Sequence, residues 1–386
     1  MDFFDCACRP CRCQAVSVLN LLHAYGIRER FCGPWKFAEN TLWLHGASLG
    51  ECKVLVDLAK RLHSEFCDAQ ILITTQKAEI VETLKASLKD DEDCAAWVQV
   101  ALAPAPFAKT TRKFLSQVKP LALVLCENEL WPAYLKECKN AGVKIALVSG
   151  RFKNAAPWAM LNAIDFATFQ TEGDRERFLQ RCNPQNKMQV ATISGNWKLL
   201  KPLPLPVQGQ GDDGASRNGN FFDIAFVSLH FSEWPHVAKL VQNACKEKKR
   251  VLIAPRRLEE IPRFEKAAPI TVSIVRQFGM LQSILPQCKF AVMGGSFVKQ
   301  PGIHNFLEPL SFGIPTFVGP FANGETEFVK KLLEKKILTR IPNGAKKLPS
   351  PLANPEQITT FLKEETNKVE RSYAALVEKL QQWIKL

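Results

Sequence analysis

Short apolar runs alternate along the chain with segments whose apolar positions recur every three or four residues. Thr41 to His45 reads as a short buried strand, and Glu51 to Leu62 follows with Val54, Leu55, Leu58 and Leu62 at helical spacing. Ile71 to Thr75, Leu121 to Cys126 and Lys144 to Ser149 read as further strands. The alternation resumes later: Asp223 to Ser228, Val251 to Ala254 and Phe290 to Met293 read as strands. Phe231 to Arg250 reads as a helix with Val237, Leu240, Val241 and Ala244 on one face. Buried strands separated by helices predict an α/β protein with parallel sheets covered on both faces. Asn354-Pro355-Glu356 is a cap followed by proline at the first helical position, and the helices it starts run to Leu386 and close the chain.

Between Leu199 and Asn220 the composition changes to proline and then to Gly, Asp, Ser and Asn, the signature of a linker. The linker contains Gly209, Gly211 and Gly214 at dinucleotide-fingerprint spacing, but with no strand before them and no helix after them they are a product of linker composition. The expected organisation is an N-terminal segment over 1–40, an α/β domain over 41–198, the linker over 199–220, a second α/β domain over 221–353, and C-terminal helices over 354–386. Two such halves are expected to bind ligands in the cleft between them, at the carboxyl ends of their strands.

The 386 residues are 46% hydrophobic and 23% charged, an ordinary globular balance that excludes a wholly disordered or fibrous chain. A net charge of +13 favours an anionic partner: nucleic acid, an acidic lipid surface, or a phosphorylated or carboxylated substrate. No apolar run reaches the ~18 residues that a membrane-spanning helix needs. Ala15 to Ile27 is interrupted by Ser17, Asn20, His23 and Gly26 and lacks a cleavage site, so no signal peptide is expected. The 13 cysteines are expected to be reduced thiols. Cys6, Cys8, Cys11 and Cys13 are close enough to hold a soft metal, but nothing at finger spacing follows them, which favours a plain terminus. Lys246 to Arg250 resembles a nucleic-acid tract, although a basic last turn facing the helix dipole accounts for it.

Candidate chemistry gathers where strands end. In Trp43 to Glu51, Ser48 can cap the following helix, Gly46 and Gly50 allow close approach of a ligand, and Glu51 stands in the first turn. Glu51 can complement the helix dipole or take a proton from a hydroxyl. Glu127 and Glu129 leave an apolar strand, where they can orient a sugar or pair with Arg151 at the end of the next strand. Beyond the linker, Ser228 and His230 end one strand, Arg256 another, and Gly294-Gly295-Ser296 a third. Glycines there can expose N–H groups to a phosphate, and Arg256 can grip it. Glu308, four residues after His304, is expected on the same side of a helical turn and suits ribose hydroxyls. No metal-ligand motif is present, and no cofactor is expected.

In order and spacing from about Trp43 to Asn323, these segments resemble the Kdo transferases, which move 3-deoxy-manno-octulosonic acid (Kdo) from its CMP ester to a lipid A precursor. The resemblance is carried by His45-Gly46-Ala47-Ser48-Leu49-Gly50-Glu51, Glu127-Asn128-Glu129-Leu130-Trp131-Pro132, Ser149-Gly150-Arg151 and Gly195-Asn196-Trp197-Lys198. It continues through Ser228 to Glu233, Ala254 to Arg257, Gly294 to Ser296, Gly302 to Pro309, and Gly319-Pro320 with Asn323. It implies the GT-B fold, two Rossmann-like domains with parallel sheets facing a central cleft, acceptor domain first and nucleotide-sugar donor domain second. It further implies an inverting, metal-independent glycosyltransferase of lipopolysaccharide synthesis, with Glu51 as catalytic base. Ser48, Gly50, Glu127, Glu129, Arg151 and Lys198 would serve the acceptor and sugar. Ser228, His230, Arg256, Gly294, Gly295, Ser296, His304, Asn305 and Glu308 would serve the donor nucleotide.

The implied partners are CMP-Kdo, a lipid A precursor and an anionic membrane surface, with no nucleic acid. The implied place is the cytoplasmic face of the bacterial inner membrane. Many relatives begin with a membrane helix and this chain is not expected to, so attachment would be peripheral. Gln76-Lys77, Ser149, Arg257 and Gly279-Met280-Leu281 depart from the family pattern and leave open the acceptor and the number of sugars added. A GT-B enzyme using another nucleotide sugar, a basic nucleic-acid-binding protein and a relative that binds sugars without turnover are the alternatives.

Overall fold

The computed structural model describes residues 27–33, 35–37, 40–89, 91–152, 161–180, 189–200, 222–277, 279–300, 305–322 and 327–384. The chain divides into two compact units, one of residues 1–200 with 369–386, the other of residues 201–368. The expected linker falls outside the described residues except at its start. There Leu199 and Leu200 are buried, and Leu199 ends a short 3₁₀ helix, Trp197–Leu199.

Among the described residues, the first unit holds a seven-stranded sheet. Its strands are β1 (Thr41–His45), β2 (Gln70–Thr75), β3 (Val98–Leu102), β4 (Ala122–Cys126), β5 (Lys144–Gly150), β6 (Phe166–Phe169) and β7 (Gln189–Ile193). The order across the sheet is β3-β2-β1-β4-β5-β6-β7, and every pair is parallel. β1 and β4 are buried throughout, as their unbroken apolar runs require. The helix Leu49–Glu65 returns the chain from β1 and buries Cys52, Leu55, Leu58, Ala59 and Leu62, a stripe at helical spacing. Trp43, Phe114 and Tyr134 meet in the core, with ring centroids 4.6 Å apart for Trp43 and Phe114 and 5.3 Å apart for Trp43 and Tyr134.

Among the described residues, the second unit holds a six-stranded parallel sheet of β8 (Phe222–Leu229), β9 (Val251–Pro255), β10 (Ser273–Ile274), β11 (Cys288–Met293), β12 (Thr316–Val318) and β13 (Leu338–Arg340). Its order is β10-β9-β8-β11-β12-β13. Phe226, Ile253, Val292, Phe264 and Phe317 form its core.

Two expected helices differ. The segment after β8 is a 3₁₀ turn, Phe231–Glu233, followed by the helix Trp234–Lys246, which stops four residues short of Arg250. Lys248 adopts the left-handed region at φ 59°, so of the basic tract only Lys246 lies in the last helical turn and the rest follows the helix. Glu247 accepts ion pairs from Lys249 and Lys347 there. The C-terminal helices are one helix of 29 residues, Pro355–Trp383. Its start is closed reciprocally: Asn354 Oδ1 accepts from the Gln357 N–H and Gln357 Oε1 from the Asn354 N–H.

Candidate active site

In each sheet the strand order reverses once, between β1 and β4 and between β8 and β11. Loops leaving two such strands diverge, and ligands of open parallel sheets bind there. The candidate residues fall at these two places.

In the first unit β1 ends in His45, and Gly46-Ala47-Ser48 turns the chain into the helix Leu49–Glu65. Ser48 Oγ accepts from the Glu51 N–H at 3.2 Å and donates to Glu51 Oε1 at 2.7 Å. Glu51 Oε2 accepts from the N–H groups of Ala47 at 2.8 Å and Ser48 at 3.4 Å. Glu51 therefore does complete the helix start. It is nevertheless half-buried, and burial pushes its carboxyl above the ordinary 4.5, with the charges of Glu127 and Glu129 pushing the same way. The hydrogen bonds from Ser48 and Ala47 oppose that shift. The result is an oriented carboxylate whose affinity for a proton is raised.

β4 delivers Glu127 and β5 delivers Arg151. Glu127 is buried, in the left-handed region at φ 59°, and its Oε2 lies 3.4 Å from Arg151 Nη2. Ser149 at the end of β5 is left-handed too, at φ 56°. A non-glycine residue pays ~1–2 kcal/mol for that conformation, and such strain gathers at functional sites. Glu129 Oε2 accepts from Trp131 Nε1 at 2.7 Å and lies 3.6 Å from His45 Nε2. His45 is fully buried and its Nδ1 lies 2.9 Å from Thr74 Oγ1. Lys198 is exposed, and its chain passes beside Gly50, where an added Cβ would meet Nζ at 3.9 Å. Asn196 Oδ1 accepts from the Lys198 N–H and fixes this turn. The first-unit candidates, Ser48, Gly50, Glu51, Glu127, Glu129, Arg151 and Lys198, thus share one end of one sheet.

In the second unit the expectation of a phosphate cradle at Gly294-Gly295-Ser296 needs correction. Gly294 N–H donates to Val227 O at 2.8 Å. Glu233, fully buried, takes the next three: its Oε2 accepts from Gly295 N–H at 2.8 Å, and its Oε1 from Ser296 at 3.1 Å and Phe297 at 3.0 Å. The same Oε2 accepts from His230 N–H at 3.0 Å. A side chain already occupies the nest that an anion would use. The glycines answer a packing demand: a Cβ on Gly294 would lie 2.6 Å from Leu229 Cα and closer still to Ser228 O. Gly294→Ala is accordingly expected to lower stability by about 2–3 kcal/mol, measurable as an earlier urea-unfolding midpoint.

Ser228 ends β8 at φ 54°, and His230 beside it is buried, with its pKa lowered from 6.5 by desolvation despite Glu233 and Glu260. Arg256 follows β9, anchored by its N–H to Leu229 O at 2.9 Å, with its side chain exposed. Asn305 is exposed and Glu308 half-buried in the short helix Leu307–Ser311. His304, Gly302 and Asn323 lie outside the described residues, as do Cys6, Cys8, Cys11 and Cys13. Among the described residues no group of three or more His, Cys, Asp or Glu side chains could hold a metal ion.

Glu233 stands in the sequence after a strand and at the end of the segment Ser228 to Glu233, but its bracing role depends on partners some 62 residues away. Thr74, which accepts from Trp43 Nε1 at 2.7 Å and holds His45, was missed. Its signal is a pair of hydroxyls, Thr74 and Thr75, at the buried end of a strand whose middle is apolar.

Two parallel doubly wound units with charged clusters at their switch points have the GT-B fold. The fold is shared with a glycosyltransferase from Rickettsia africae (TM-score 0.55, 14% identity, covering 90% of this chain and 100% of that one). It is also shared with the UDP-GlcNAc 2-epimerase of Neisseria meningitidis (TM-score 0.56, 11% identity, covering 89% of this chain and 100% of that one). Residues 25–200 match the family described as 3-deoxy-D-manno-octulosonic-acid transferase (kdotransferase). Similar relatives include the 3-deoxy-D-manno-octulosonic acid transferases of Aquifex aeolicus, 29% identical over 78% of this chain and 82% of that protein, and of Chlamydia pneumoniae, 24% identical over 76% and 72%. That of Chlamydia trachomatis serovar D is 23% identical over 92% of this chain and 90% of its own. Over most of its length the chain is similar to these Kdo transferases.

Proposed function

We propose that this chain transfers Kdo from CMP-Kdo to a lipid A precursor, with inversion and without a metal, on the cytoplasmic face of the bacterial inner membrane. The observation that carries the proposal is Glu51: a half-buried carboxylate fixed by Ser48 and Ala47 at a switch point, with its proton affinity raised. In this role Glu51 accepts the proton of an acceptor-sugar hydroxyl as the oxygen attacks the anomeric carbon of Kdo. The new C–O bond forms on the face opposite the departing phosphate, and CMP leaves with the electron pair of the broken bond. Glu127, Glu129, Arg151 and Lys198 orient the acceptor and the Kdo carboxylate, with Ser48 and Gly50 shaping their approach. Exposed Arg256 holds the phosphate by a forked pair of hydrogen bonds. Neutral His230, with Ser228, Gly294, Gly295 and Ser296, forms the wall behind the nucleotide, and Asn305, Glu308 and His304 face its ribose and base.

The test is incubation with CMP-Kdo and a tetra-acylated lipid A precursor, read by mass spectrometry of the lipid. Mass gain by whole Kdo units is expected, together with thermal stabilisation by CMP and none by UMP or GMP. An unchanged lipid with equal stabilisation by UMP would replace this function with transfer from another nucleotide sugar.

A further inference from the structure

The first unit carries an apolar surface that its core does not absorb. Phe31 and Phe107 are 44% and 59% exposed, and their rings stack with centroids 5.7 Å apart. Phe31 belongs to the helix Ile27–Cys32, and Phe107 precedes the helix Ala108–Val118. The two elements are tied together: Ala105 N–H donates to Arg30 O at 2.8 Å and Lys113 Nζ to Cys32 O at 2.8 Å. Trp35 packs edge-on against Phe114 at 5.6 Å and roots the segment in the core. The aromatic pair is therefore held in place.

Its surroundings are basic. Arg28, Lys36, Lys109 and Lys113 are exposed, and in the stretches 27–37 and 103–119 Glu29 is the sole acid in the sequence. Arg112 is partly neutralised by Glu137 at 3.6 Å. Exposed aromatics ringed by lysine and arginine fit the boundary between anionic headgroups and acyl chains. The patch also stands at the same end of the sheet as Glu51. Residues 103–105 leave the carboxyl end of β3, Arg30 reaches Ala103 O at 3.3 Å and also bonds Gln76 just past β2, and Gln76 Nε2 donates to Tyr134 OH at 3.2 Å. The Tyr134 ring meets the His45 ring edge-on at 5.3 Å, at the end of β1.

We infer that Phe31 and Phe107, with Arg28, Lys36, Lys109 and Lys113, form the face that docks on an anionic bilayer. This rests on the proposed use of a lipid acceptor. It adds that the acceptor's tails stay in the bilayer while its sugar reaches the end of the sheet where Glu51 stands. The test uses the full chain and sucrose-loaded vesicles of phosphatidylcholine, with and without phosphatidylglycerol. Wild type is expected to sediment with the anionic vesicles at low salt and to be released by high salt. Phe31→Ser with Phe107→Ser, and separately Arg28→Glu with Lys109→Glu, are each expected to weaken sedimentation about tenfold or more. Both should keep the thermal midpoint and the transfer rate onto a detergent-dispersed acceptor. Ile270→Ser with Leu352→Ser, exposed apolar residues of the other unit, should bind vesicles as wild type does. Wild type that ignores anionic vesicles, or surface variants that sediment unchanged, would overturn the assignment. Vesicle binding needs no turnover, so its outcome is independent of whether the Kdo transfer assay succeeds.

Discussion

Glu51→Gln is expected to lower kcat by about 10²–10⁴-fold while leaving the unfolding midpoint close to wild type. The fold should survive because glutamine at this position still serves the helix start. Its amide oxygen can accept from Ala47 N–H, and its NH₂ can donate to Ser48 Oγ, reversing the bond now running from Ser48 to Oε1. What is lost is the capacity to take a proton. The pH profile gives a second readout. A base works only when ionised, and the Glu51 carboxyl is raised above 4.5 by burial and by Glu127 and Glu129. The acid limb of kcat/KM should therefore lie above 4.5, with activity falling as pH drops through it. Glu127→Gln removes one repelling charge, which moves the limb to lower pH. A limb that stays where it was in Glu127→Gln, or near-normal turnover by Glu51→Gln, would assign the proton to another group.

The second large effect is expected at Glu233. Glu233→Ala strips an acceptor from four buried backbone N–H groups at once, those of His230, Gly295, Ser296 and Phe297. Leaving buried donors unpaired costs ~1–3 kcal/mol for each that water does not reach, so a loss of roughly 3 kcal/mol or more is expected. The chain has two units, so hydrogen exchange followed by mass spectrometry is the appropriate measurement. Peptides containing 295–297 should lose protection while those of β1 and β4 keep theirs. Glu233→Gln should fall in between, because one oxygen is replaced by an NH₂ that faces donors. Wild-type protection in Glu233→Ala would mean that the turn is held by other forces. This carboxylate braces the glycine turn and so occupies the N–H groups that a phosphate would need.

The alternation of buried strands and helices was legible because parallel sheets covered on both faces produce unbroken apolar runs. Thr41–His45 is the clearest, with all five residues buried. β10, β12 and β13 have only two or three residues each, too few for any period to register. The end of the helix at Lys246 was hidden because the turning residue is Lys248, with no glycine to mark it. The first cluster was readable because carboxylates directly after a buried strand are conspicuous. The Glu127 to Arg151 pair is the structural alternative weighed for those residues, and it forms. The second cluster was harder. A glycine-rich turn looks the same in sequence whether its N–H groups meet a phosphate or a glutamate 62 positions earlier.

The long C-terminal helix has a consequence for biosynthesis. Its residues from Val369 onward count with the first unit, where Glu370 clamps Arg61 through two hydrogen bonds and Arg61 lies 3.9 Å over the Tyr373 ring. A nascent chain emerges N-terminus first, and domains generally fold in that order. Here the first unit cannot be completed until the stretch from Val369 onward has followed the second unit out of the ribosome. The half encoded in the middle has all its residues earlier, so a stalled or prematurely terminated product would retain a finished second unit beside an unfinished first.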